Sequence, residues 1–575
     1  MRKPAPNAKS PRRVVAALVA LLSLVACVAA PLGAASGQVV ERSPSALGNY
    51  LAGRYAERQR DPATAARFFD AALAADPGNF ETLVRLHATR LAAGEQTAAV
   101  EAAQRIAERS PANPGASITL AVDAVSRLAW DDARRRLAEI PLQGINRLLV
   151  PLLRGWIETA LGNAAALDQL RPLTELADLA AVVDFHRGLM LEKLGRLDEA
   201  EAALRRVMGP EGRATPRLAE ALVALLLSQN RDAEARALLD AARVHDRESL
   251  AFDLLSRRLA GAERSPLLPD ARAGFAAALF DVATAVRGEG DGGFALPYAR
   301  LSSALVPEDP SALLLVGDIL DQQKRHAESN AVFARIDPAA PLGWTARLRI
   351  AENLHQLDRT DEATALLEAM AAERPERTEA LATLGGLLRA KERHREAVGV
   401  YARAIARVTA PERRHWVLFY ARGIACERSD DWPCAEADFK RALELMPEQP
   451  DVLNYLAYSW VDKGFAEHYD RALKMLERAV ELRPNSGHII DSLAWALYKL
   501  GRYAESVPLL ERAVELLPQE AVILDHLGDA YWRVGRRLEA RYQWQRALGS
   551  KPEPDLKPQL ERKLEDGLSD RPRGG

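Results

Sequence analysis

A period of 34 residues constrains this chain more than any other feature. Leu493 and Leu527, Ala494 and Gly528, Ala513 and Ala547, and Pro484, Pro518 and Pro552 recur at that interval, and Met370 and Ala404 keep it earlier. Between such positions lie helix-length amphipathic segments separated by short breaks, many ending in an acidic or polar residue and Pro. A fixed period of this size marks a repeat array, so the 575 residues need not divide into separate globular domains. Composition agrees: 48% of residues are hydrophobic, 6% aromatic and 27% charged, with Ala, Leu, Glu and Arg prominent, a mixture that favours helices. The formal net charge of −2 argues against a general polyanion binder, because counterion release needs a surplus of Lys and Arg on one face. Nucleic acid is not an expected partner.

Within one unit, the string LDHLGDAYW from Leu524, followed by Ala540, Trp544, Ala547 and Pro552, describes a helical hairpin. Gly528 in the first helix lets the second approach at Ala540, Tyr531 and Trp544 fill the space around that contact, and the Pro ends the second helix. These residues resemble the tetratricopeptide consensus of large, Leu-Gly, Tyr, Ala, aromatic, Ala and Pro. Matching units centre on Gly53, Gly188, Ala351, Gly385, Gly423 and Ala457, and the resemblance covers most of residues 45–553. It implies an all-α fold, a right-handed superhelical solenoid of antiparallel helix pairs, with about thirteen or fourteen repeats.

Residues 112–182 and 249–300 show no register. Ala457 and Ala472 are 15 apart where the pattern gives 12, so Phe465 to Tyr469 enlarge a turn, and Gly288 to Gly293 lengthen another. Ala260 to Pro269 is rich in turn formers. The expected organisation is a leader at 1–36, a degenerate N-terminal array at 45–260, an irregular seam at 261–300 with its boundary near residue 265, a C-terminal array at 301–553, and a capping helix with a polar tail at 554–575.

Arg2, Lys3, Lys9, Arg12 and Arg13 precede an uncharged apolar run from Val14 to Ala26, the pattern of a secretory leader and too short for a comfortable membrane span. Leu24, Val25, Ala26 and Cys27 match the bacterial lipobox, which makes Cys27 the lipidation site, while Gly33 to Ser36 offer ordinary signal peptidase a small-residue site. A lipoprotein and a soluble exported protein both stay open. Either places the chain in the periplasm, membrane-attached through lipid if Cys27 is acylated.

Stacked hairpins of this family lay their first helices along a concave surface. The resemblance therefore places Asn454 and Tyr458, then Asp491, Trp495 and Tyr498, then Asp525, Asp529 and Trp532 in a groove, with Arg533 beside them. Aromatics among carboxylates would suit a partner with apolar anchors and basic flanks. The same side chains could instead pack against the next repeat. A partner's C-terminal carboxylate would be repelled there.

Catalytic chemistry is not expected. Cys426 and Cys434, eight positions apart, fall on the two helices of one hairpin. A disulfide and two buried thiols both remain open, and the spacing is not that of a redox C-x-x-C. The ten histidines form no metal motif, and no phosphate loop, nucleophile elbow or dinucleotide fingerprint is present. No cofactor is expected.

The stretches IIDSLAWALYKLGRYAESVPLLERAVELLP from Ile489 and LDHLGDAYWRVGRRLEARYQWQRAL from Leu524, with the lipobox, are similar to bacterial envelope tetratricopeptide lipoproteins. Some of these serve as adaptors for carboxy-terminal processing proteases and their cell-wall substrates. The resemblance implies a non-enzymatic scaffold or adaptor binding other proteins or peptides. A structural or assembly factor for exported polysaccharide, pili or outer-membrane components is the alternative.

Overall fold

The computed structural model describes residues 45–173, 179–209, 213–245, 250–261, 264–288, 293–340 and 342–568. The leader and Cys27 lie outside them, as does the middle of the Gly288 to Gly293 turn. The regular structure among the described residues is helical, without a strand. Antiparallel helix pairs follow one another from Ala46–Arg58 with Pro62–Ala75 to Ala521–Arg533 with Arg537–Gly549.

One backbone device makes each pair. Arg60, Gly94, Leu128 and Gly162 have positive φ at intervals of 34, as do Lys324, Asp358 and Glu392, and each turns a first helix into its second. The register is thus kept through residues 112–182, where the side chains have drifted but the turn has not. The interval stretches to 37 between Gly464 and Gly501, and the 3-10 turn Ala466–His468 takes up the extra residues. Between pairs, polar side chains cap the next first helix: Asn79 accepts from Thr82 N at 3.0 Å and Asn113 from Ala116 N at 3.1 Å.

Small residues on first helices admit large ones sixteen positions on. A Cβ built on Gly423 would lie 2.7 Å from Phe439 Cε1, and one on Gly528 would lie 2.4 Å from Trp544 Nε1. Neither site can take a larger side chain without displacing the ring that fills it.

Contacts divide the chain into two compact units, one ending at Arg359 and one beginning at Thr360. The stretch 261–300, read from sequence as a joint, instead holds two helices, Ala271–Val286 and Ala295–Leu305, inside the first unit. Helix Ala271–Val286 buries residues on every face, including Gly274, Phe275, Ala278, Leu279, Val282 and Ala283. It packs against Asn146–Ala160 and Ala180–Lys193. A helix buried over consecutive residues, here Ala273 to Leu279, lacks the one-sided pattern by which surface helices are recognised.

In the second unit, first helices stand side by side: Pro450–Asp462 contacts Gly487–Lys499, which contacts Ala521–Arg533. The helix Lys557–Asp566 covers the last pair and buries Leu560 completely. No described helix is long and apolar enough to cross a membrane.

Candidate functional site

The wall of first helices in the second unit carries the sequence-predicted groove residues, and its centre is a stack of rings. Trp495 lies parallel to Tyr498, centroids 4.6 Å apart, and to His526 of the next first helix at 3.8 Å. The Lys499 ammonium sits 5.6 Å from the indole centroid. Trp495, Tyr498, Tyr458 and Asn454 are all partly exposed. Burial, then the Asp529 carboxylate, pushes the Tyr498 phenol up to about 12, and burial followed by Asp462 and Asp491 raises Tyr458. Both phenols stay neutral and present apolar rings with a hydrogen-bonding tip. Arg533 donates to Tyr498 Oη at 3.4 Å.

The three carboxylates expected in the groove do not face it openly. Asp491, Asp525 and Asp529 are buried and engaged within the unit. Asp491 Oδ1 lies 2.8 Å from His526 Nδ1. Lys563, from the terminal helix, donates to Asp525 at 2.7 and 2.8 Å and to Asp529 at 2.9 Å. Trp544 Nε1 also donates to Asp529, at 2.9 Å. Burial and the adjacent Asp525 carboxylate push Asp529 up to about 6 despite the Lys563 ammonium. Burial opposes charge on His526, but Asp491, hydrogen-bonded to it, raises its pKa above the ordinary histidine value. Trp532 is partly exposed, and its Nε1 donates to the Leu568 carbonyl at 3.1 Å. The expected acidic groove is therefore corrected to an aromatic wall whose carboxylates staple neighbouring helices together.

Tyr420 and Tyr455 belong to the same wall and were not singled out from sequence. Both are partly exposed and meet edge to face at 6.1 Å. Tyr420 lies 34 residues before Asn454, so the period itself could have found it. Burial, then Asp451, pushes its phenol up to about 12.

Cys426 and Cys434 are joined by a disulfide between the two helices of one pair, with Cα atoms 5.8 Å apart. Asp438 lies near both sulfurs but forms a two-bond pair with Arg422, each bond 2.7 Å. Sulfurs bonded to each other and a carboxylate held by guanidinium leave no ready metal site.

The same repeat positions recur in the first unit with a different outcome. Trp156 precedes the turn residue Gly162 by six positions, as Trp495 precedes Gly501. His186 precedes Gly195 by nine, as His526 precedes Gly535. Trp156 Nε1 donates to His186 Nδ1 at 3.0 Å, and His186 Nε2 lies 3.0 Å from Asp281 Oδ2 on the central helix Ala271–Val286. Since Nδ1 accepts, Nε2 carries the proton and donates to Asp281. Arg217 also pairs with Asp281 and lies between Phe185 and Phe280, 5.0 and 5.2 Å from their centroids. Burial alone would raise Asp281; Arg217 and His186 outweigh it and hold the carboxyl below its ordinary range.

Tetratricopeptide repeat models match residues 466–541 and 34–80, and the antiparallel helix pairs continue through the described residues between these two stretches. Proteins of this class generally bind other proteins or peptides, and neither match indicates an enzyme. The chain is 26% identical over 199 residues to the TPR repeat-containing protein PA4667 of Pseudomonas aeruginosa, a match covering 33% of this chain and 31% of that protein. It therefore spans about a third of the length of this relative. Among solved structures, the APC/C hetero-tetramer Cut9-Hcn1 matches at 15% identity over 91% of this chain and 96% of its own, with a TM-score of 0.39. Yeast Tom70 matches at 14% identity over 91% and 95%, with a TM-score of 0.29. YrrB, described as a TPR protein with an unusual peptide-binding site, matches at 20% identity over 34% and 97%, with a TM-score of 0.27.

Proposed function

We propose that this protein is a non-enzymatic scaffold of the bacterial cell envelope, exported by its 1–36 leader and anchored through an acylated Cys27. It captures a segment of another protein along the wall formed by residues 416–533. The observation that carries the binding role is the series of partly exposed rings on neighbouring first helices, Tyr420, Tyr455, Tyr458, Trp495 and Tyr498. Aromatic side chains supply much contact area for little lost entropy and dominate binding energy when covered. Because the carboxylates are engaged internally, the wall favours apolar anchors over a purely basic segment. The leader and the Cys426–Cys434 disulfide support an oxidising, exported setting. In its sharper form, resting on the resemblance to envelope lipoproteins, the scaffold recruits a carboxy-terminal processing protease and its cell-wall substrates.

Pull-downs from detergent-solubilised envelopes test this, with wild type compared to Tyr458→Ala/Trp495→Ala. Capture should fall in the variant while helicity is kept, since array stability is distributed over neighbouring repeats. Unchanged capture removes the wall as the site. A wild-type catch that repeatedly lacks a protease or cell-wall hydrolase removes the adaptor version. Mass analysis of the mature N-terminus decides acylation of Cys27.

A further inference from the structure

Second helices turn an outer face to solvent, and in the repeats before the last that face is small or charged. Ala504 and Pro508 on Tyr503–Leu516, and Asp470 and Lys474 one period earlier on Tyr469–Leu482, are all exposed there. The last pair departs from this pattern. At the same repeat positions Arg537–Gly549 carries Leu538, 84% exposed, and Tyr542, 64% exposed. They stand one helical turn apart, across the helix from the buried Ala540 and Ala547. Arg537 and Arg541 border them, both exposed, with guanidiniums 5.2 and 5.9 Å from the Trp532 ring centroid. Neither forms an ion pair among the described residues, whereas the neighbouring Arg536 is held by Glu511 at 3.0 Å and Glu539 at 3.1 Å.

We infer that this outer face of the last repeat is a second interaction surface, separate from the aromatic wall, that docks an acidic segment of another protein. Apolar side chains of that segment lie on Leu538 and Tyr542, and its carboxylates meet Arg537 and Arg541. A single exposed leucine is ordinary on a protein surface. A leucine beside a tyrosine, at positions kept small or charged in the preceding repeats, is a patch that a partner covers, and Tyr and Arg are among the residues that concentrate binding energy. The charge selects the partner's sign: two guanidiniums without carboxylates repel a basic segment, and their planar forks accept carboxylates through paired, charge-assisted hydrogen bonds. The Trp532 indole beside them favours their present positions, so less side-chain freedom is lost on docking. The face is narrow and the exposed Glu539 lies next to it, which fits a polypeptide better than a broad anionic membrane that would meet that carboxylate as well.

The test titrates the full protein into a labelled random copolymer of glutamate and tyrosine, read by fluorescence anisotropy, with polyglutamate, a lysine–tyrosine copolymer and phosphatidylglycerol vesicles alongside. Wild type should bind the glutamate–tyrosine copolymer more tightly than polyglutamate and should ignore the lysine–tyrosine one. Leu538→Ser/Tyr542→Ser and Arg537→Gln/Arg541→Gln should each weaken binding at least roughly tenfold. All four side chains are exposed, so circular dichroism should show the helices retained. Arg471→Gln/Lys474→Gln, which removes the same charge from the second helix two repeats earlier, should leave binding unchanged, and so should Trp495→Ala. Absence of binding, survival of binding in either double variant, an equal loss in the Arg471/Lys474 control, or dependence on Trp495 overturns the inference. Tighter binding to the vesicles than to the copolymer overturns it in favour of a membrane. A wild-type dimer that sedimentation shows to dissociate in Leu538→Ser/Tyr542→Ser overturns it in favour of a second copy of the chain.

Discussion

Trp156 and Trp495 occupy the same position of the repeat, and the first is fully buried while the second is partly exposed. Each neighbours a histidine from the next first helix, and each histidine is tied to an aspartate. In the N-terminal unit that aspartate, Asp281, arrives on helix Ala271–Val286, which lies against the pair. In the C-terminal unit it is Asp491, four residues before the tryptophan on the same helix, and the indole is stacked on both Tyr498 and His526 while staying partly exposed. The same repeat position is thus fully buried where the chain lays a helix of its own against it and partly exposed where it does not.

The strongest way to break this comparison is to remove the buried member. Trp156→Ala should destabilise the N-terminal unit by about 3–5 kcal/mol, from the lost ring and the cavity left behind. It also removes the donor to His186 Nδ1. Chemical unfolding should show one early transition assigned to that unit, with hydrogen exchange in residues 360–568 unchanged. A uniform shift of both units would contradict their treatment as separate cores.

The closed end of the C-terminal unit comes next. Lys563→Met leaves Asp525 and Asp529 buried without their ammonium, a loss of about 3 kcal/mol at about pH 8. The sign of the pH effect follows from Asp529, whose folded pKa of about 6 lies above the ordinary aspartate value of about 3.9. Between those values the folded chain holds the extra proton, so this group's stabilising contribution is complete below the lower value and is lost as pH rises through the upper one. The gap in thermal midpoint between wild type and Lys563→Met should therefore narrow as pH is lowered from about 8 to about 5. Asp529→Asn should remove most of the narrowing.

A smaller effect separates the units covalently. Reducing Cys426–Cys434 should cost about 2 kcal/mol, the scale expected for closing so short a loop. It should act on the C-terminal unit alone, measured as the loss of midpoint with a reductant against a Cys426→Ala/Cys434→Ala control that no longer responds.

Much of the C-terminal unit was legible because its consensus is carried by shape. Gly423 with Phe439 and Gly528 with Trp544 recur at a fixed separation, and the hairpins follow. The central helix was not legible, because Ala271–Val286 buries every residue from Ala273 to Leu279 and so offers no one-sided periodicity to read, while the turns at Leu128 and Gly162 keep their register through backbone conformation alone. Three carboxylates were assigned to the groove because repeat position says which way a residue faces and nothing about who meets it there. Lys563 lies 38 and 34 residues from Asp525 and Asp529, in a terminal helix that has no place in the consensus.

The smallest expected change in stability tests the comparison most directly. Trp495→Ala removes a ring stacked on Tyr498 and His526 but partly open to solvent, so it forfeits stacking of about 1 kcal/mol and leaves no closed cavity. Partner capture should nonetheless collapse, whereas Trp156→Ala, far more damaging to its own unit, should leave capture by the C-terminal wall intact. Paired unfolding and capture measurements on the two variants would give opposite rankings if one ring is core and the other recognition. Equal rankings would mean that Trp495 serves only to join one repeat to the next.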